Sequence, residues 1–84
     1  MPRTLEDIGR IAVDLHRARL ATNRAKGEYH EQCAEYFEGQ EKWDREDPGF
    51  HEATRVSYLA FHTAKAVEYN VKRRLDSAIR GFKR

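Results

Sequence analysis

The chain has 84 residues, 36% of them charged and 39% apolar, with a formal net charge of +2. That length holds one domain over a thin core, and Cys33, the single cysteine, excludes an intrachain disulfide. No stretch approaches the roughly 20 apolar residues that span a bilayer, and the N-terminus lacks the apolar run of a secretion signal, so the expectation is a cytoplasmic protein without a membrane partner.

Charge is segregated along the chain. Residues 1–27 carry net +3, residues 28–55 net −6 and residues 56–84 net +5. Thr4, followed three residues later by Asp7, reads as a variant capping box at the start of a first helix. From there a seven-residue repeat runs through Ile8, Leu15, Thr22, Tyr29, Tyr36 and Trp43. Leu5, Ile11, Ala12, Ala18, Ala25 and Cys33 support it from neighbouring positions, which is the stripe of a long amphipathic helix. The repeat predicts a helix over about 4–45 and a bend over 46–49, where Pro48-Gly49 is the strong interior breaker.

Asp47 is placed to cap a second helix over about 50–82, with Pro48 in its first turn. Its stripe reads Phe50, Ala53, Ser57, Ala60, Phe61, Ala64, Val67, Val71, Leu75, Ala78, Ile79 and Phe82. The fold expected is all-α: a long antiparallel, coiled-coil-like helical hairpin forming a single domain over 1–84. Pairing residues equidistant from the bend sets Trp43 against Ala53, Tyr36 against Ala60, and Thr22 with Ala25 against Val71 and Leu75. Gly27 inside the first helix leaves a three-helix bundle, broken near that residue, as the alternative.

Apolar residues off the stripe (Val13, Leu20, Phe37, Val56 and Leu59) predict self-association, most simply a homodimer closing a four-helix bundle. No catalytic, metal or cofactor signature emerges. Glu28, His30, Glu31 and Cys33 crowd two turns, but no Glu is followed three residues later by His, as a helical di-iron site requires. His51-Glu52 begins like a zincin motif, yet Arg55 stands where its second His must be. The reading is a non-enzymatic binding module without a small-molecule substrate or cofactor.

Two charged surfaces compete as its working part. Folding back brings both basic flanks to the open end of the rod, and Arg17, Arg24, Arg73, Arg74, Lys83 and Arg84 are assigned there as contacts for nucleic acid or another anionic partner. Helical pairs such as Asp7–Arg10, Asp14–Arg17, Arg24–Glu28, Glu68–Lys72 and Asp76–Arg80 would neutralise part of that patch. Glu28, Glu31, Glu35 and Glu38 form an acidic stripe suited to a basic site on another protein, as in an inhibitor or adaptor. A short, charged, motif-free chain also has the style of accessory proteins from phages and mobile elements. A purely structural assembly subunit needs neither surface.

Overall fold

The computed structural model describes residues 4–40 and 46–83. Two helices, α1 (Leu5–Tyr36) and α2 (Pro48–Lys83), lie antiparallel in a rod of 57 × 18 × 17 Å. α1 starts as its capping box dictates. The Asp7 N–H donates to Thr4 Oγ1 at 3.1 Å, and the Thr4 N–H donates back to Asp7 Oδ2 at 3.2 Å. α1 is continuous through Gly27, so the three-helix alternative is wrong. A glycine there costs about 1 kcal/mol against alanine, too little to break a helix whose seam is packed on both sides of it.

The seam follows alternating steps of three and four residues, the period of two helices wound together. On α1 it buries Ile11, Leu15, Ala18, Thr22 and Cys33, with Ile8, Ala25 and Tyr29 partly covered. On α2 it buries Phe50, Thr54, Ser57, Val71 and Ala78, with Phe61, Ala64, Glu68 and Leu75 partly covered. Ala53, Ala60, Val67, Ile79 and Phe82 therefore leave the expected stripe and are exposed. Starting from Phe50, the step of four selects Thr54 over Ala53. Thr54 is cheap to bury because its hydroxyl donates to the Phe50 carbonyl at 2.8 Å.

The core has two apolar clusters joined by a waist of small side chains. At the open end, Ile11, Leu15, Val71 and Ala78 pack together under Ile8 and Leu75. At the closed end, Cys33, Phe37 and Phe50 pack with Tyr29 and Tyr36. In the waist, Thr22 Oγ1 donates to the carbonyls of Ala18 (3.0 Å) and Ala64 (3.2 Å). Nearer the bend, Ser57 Oγ donates to Gln32 Oε1 at 2.7 Å. These contacts set the register. Thr22 meets Ala64 instead of Val71 and Leu75, and Tyr36 meets Phe50 instead of Ala60. Each partner lies about two to three turns nearer the bend than equidistant pairing placed it.

The shift follows from where α1 stops. It ends at Tyr36, well before residue 45, with Phe37 as its C-cap. Gly39 then takes φ +80°, a left-handed conformation that glycine adopts without steric cost. The connection runs over residues 37–47, and the expected pairing of Trp43 lies outside the described residues. Its far end behaves as the sequence predicts. Asp47 Oδ1 accepts from the Gly49 N–H at 3.0 Å and the Asp47 carbonyl accepts from the Phe50 N–H at 3.0 Å, with Pro48 as the first helical residue. The other carboxylate oxygen accepts from the Tyr36 hydroxyl at 2.7 Å, fastening the end of α1 to the start of α2.

Candidate binding surfaces

The seam occupies one side of each helix and leaves the rest of the surface to charged, aromatic and apolar side chains. Arg17 and Arg24 are exposed and seven residues apart, so they share one face of α1. Arg73 and Arg74 are exposed on α2 and line, with Asn70 and Ser77, a shallow depression of 370 Å³. The Arg73 guanidinium lies over the Tyr69 ring at 5.9 Å. The Thr22–Ala64 register places Arg73 and Arg74 in the same half of the rod as Arg17, whereas Arg24 sits beside Thr22 at the waist. The Lys83 side chain and Arg84 lie outside the described residues.

Of the expected neutralising pairs, Asp14–Arg17, Arg24–Glu28, Glu68–Lys72 and Asp76–Arg80 form no ion pair among the described residues. The ion pair found there joins Arg10 to Glu6 at 2.9 Å. Asp7, the predicted partner of Arg10, turns its carboxylate to the N-cap instead. Glu28, Glu31, Glu35 and Glu38 are all exposed on α1. Glu35 lines a small depression with Gln32, Tyr36 and Ala53.

Of the residues expected to self-associate, Val13, Leu20, Val56 and Leu59 are exposed, but Phe37 is not. Phe37 is 2% exposed, edge-on to Tyr36 and 5.0 Å from the Phe50 ring. It lies past the last helical residue, where helical phase no longer fixes a side chain's direction, and the turn carries it under the closed end.

A further side of the rod was not singled out by the sequence. Tyr29 contacts His30 (6.0 Å between centroids), Tyr58 (5.5 Å) and Phe61 (6.1 Å), and Tyr58 meets His62 edge-on at 4.4 Å. Lys65 Nζ stands 5.2 Å over the Phe61 ring. Beside this cluster opens a groove of 510 Å³ whose lining includes Tyr29, His51, Arg55 and Tyr58. Along α2, Arg55, Tyr58, His62, Lys65, Tyr69 and Lys72 follow one another in steps of three and four and are all exposed. That ridge interleaves cations with rings over about 25 Å of helix. Glu68 falls between its members but turns to the seam, where it is partly covered. Lys26, four residues before His30, adds a cation from α1. The spacing was readable in the sequence, but apolar periodicity draws attention to the seam and leaves tyrosines and lysines on the flank unsorted.

Tyr36 has a phenol held above its ordinary pKa, first by donating a hydrogen bond to Asp47, then by partial burial and the neighbouring carboxylate charge. Cys33 is buried among the closed-end rings and acts as a small core residue. Among the described residues, no three His, Cys, Asp or Glu side chains group so as to hold a metal ion, and no helix is long and apolar enough to cross a membrane. Comparison with protein-family models, with curated proteins and with solved structures finds no match.

Proposed function

We propose that this chain is a non-enzymatic binding module whose partner is nucleic acid. The observation that carries the reading is the ridge from Arg55 to Lys72, where exposed cations are interleaved with exposed rings and Glu68, the carboxylate between them, is partly covered at the seam. Cations along a line track phosphates, and rings between them offer stacking surfaces to unpaired bases. Arg73 and Arg74 extend the basic surface around α2, and Arg17 lies exposed in the same half of the rod, beside Asp14 on α1. The basic pole thus acts together with the ridge. Fluorescence anisotropy of labelled single-stranded and duplex oligonucleotides at graded salt tests the reading. Binding that weakens steeply with salt, and whose salt slope flattens by about one to two units in Lys65→Glu/Lys72→Glu, supports it. Absence of binding at 50 mM salt rejects it.

A second reading, an inhibitor or adaptor docking on a basic protein site, is favoured by the exposed stripe of Glu28, Glu31, Glu35 and Glu38, none of which forms an ion pair with a described residue. Its mark is a protein partner lost on reversing Glu31 and Glu35 but retained in the Lys65→Glu/Lys72→Glu variant.

A further inference from the structure

One stripe on the outer surface of α2 carries no charge, in a chain more than a third charged. It is centred on Thr63 and reads nearly the same in both directions. Ala60 and Ala66 lie three residues either side of Thr63, Leu59 and Val67 four, and Val56 and Asn70 seven. Offsets of three, four and seven all return to one helical face. Every one of these residues is exposed: Val56 by 80%, Leu59 by 53% and Val67 by 50%. Large apolar side chains pointing into solvent along three turns are what a helix presents to a partner helix.

The charges at the ends of the stripe identify the occupant. At an offset of eleven, again on this face, stand Glu52 on one side and Arg74 on the other. A parallel second copy would set like against like at both ends. An antiparallel copy related by a two-fold axis at Thr63 sets Glu52 against the partner's Arg74 and Arg74 against the partner's Glu52. The same axis places Leu59 over the partner's Val67 and Ala60 over the partner's Ala66. Small residues at the centre let the helices approach, and the branched side chains fill the flanks. The receiving surface is already shaped, because Arg73 and Arg74 border the depression that Asn70 and Ser77 complete.

We infer that the chain forms an isologous dimer through the outer face of α2, antiparallel and centred on Thr63. The dimer takes up Arg74 and borders the groove that Leu59 and Glu52 share with Arg55 and Tyr58, and its test reads molecular mass, which does not depend on what the ridge binds.

Sedimentation of the full chain between 10 and 200 µM is the test. The expected mass at the upper concentrations is twice the chain's 9.9 kDa. Glu52→Arg or Arg74→Glu alone should weaken the dimer about tenfold, since both symmetric pairs are lost. The double variant E52R/R74E should restore it. In a Cys33→Ala background, Thr63→Cys should form a disulfide-linked dimer under mild oxidation and Glu52→Cys should not. A monomer at 200 µM, absence of rescue in the double variant, or crosslinking through Glu52→Cys as readily as through Thr63→Cys would each overturn the inference. These positions are exposed, and helicity by circular dichroism confirms that each variant has folded.

Discussion

Replacing Phe37 by alanine should markedly destabilise this hairpin. Among the described residues, Phe37 is the most deeply covered large side chain, held in the closed-end cluster between Cys33, Phe50 and Tyr36. Truncating a buried phenylalanine costs about 3–5 kcal/mol, and its edge-on contact with Tyr36 and tilted contact with Phe50 add to what is lost. The site lies at an end of the rod where neighbours can relax inward, so the lower part of the range applies, about 3 kcal/mol. At about 0.05–0.15 kcal/mol per residue, a chain of this length has roughly 4–13 kcal/mol in total. Each 1 kcal/mol moves Tm by about 4–8 °C in a domain of this size, so Phe37→Ala should lower it by about 12–24 °C. Thermal and urea melts followed at 222 nm, at matched protein concentration, read this directly. Val13→Ala is the control, an exposed position expected to stay within about 0.5 kcal/mol of the parent. A loss below 1 kcal/mol for Phe37→Ala, or an equal loss for Val13→Ala, would refute the assignment of the closed-end core.

Gly27→Ala should stabilise by about 0.8–1 kcal/mol, because a Cβ there meets open space and α1 passes through the position unbroken; an unchanged or lower Tm would contradict a continuous helix. Thr22→Val should cost about 1 kcal/mol in urea melts, through loss of the hydroxyl that reaches the Ala64 carbonyl across the seam. Tyr36→Phe should remove an alkaline dependence: with the phenol's pKa raised in the fold, its contribution is fully present below about pH 10 and is lost as pH rises through the folded value. The difference in urea midpoint between parent and Tyr36→Phe should therefore hold steady up to about pH 9 and shrink as pH rises past about 10, and a constant difference would count against the Asp47 contact. Gly49→Ala should destabilise despite alanine's better helix propensity, since the new Cβ collides with the Tyr36 hydroxyl and must displace it from Asp47; a gain in Tm would show that the tyrosine moves aside freely.

The helical class, the hairpin and both helix starts were legible because they rest on local signals: a seven-residue repeat, a capping box at Thr4, and Asp47-Pro48 before a second stripe. The end of α1 was not. The repeat continues to Trp43 in sequence, and nothing in its period shows that Gly39 will adopt a left-handed conformation. The register depends on that end, because equidistant pairing across the hairpin shifts with the position of the bend. Thr54 was overlooked because hydropathy does not recognise a hydroxyl that is satisfied within its own helix. Phe37 escapes the helical pattern because it stands just past the end of α1, as its C-cap. On the binding surface, residue types were readable and their neighbourhood was not. Arg73 and Arg74 are adjacent as expected, but the ring cluster of Tyr29, Tyr58 and His62 joins two helices and needs the register to be seen.

Chemical-shift mapping of the isotope-labelled chain during titration with a short single-stranded oligonucleotide tests the proposed function most directly. Nucleic-acid contact through the cation–ring side requires the largest shifts at Arg55, Tyr58, His62, Lys65, Tyr69 and Lys72, extending to Arg73 and diminishing as salt is raised. Shifts confined to the Glu28–Glu38 face of α1, or none at millimolar oligonucleotide, would contradict it.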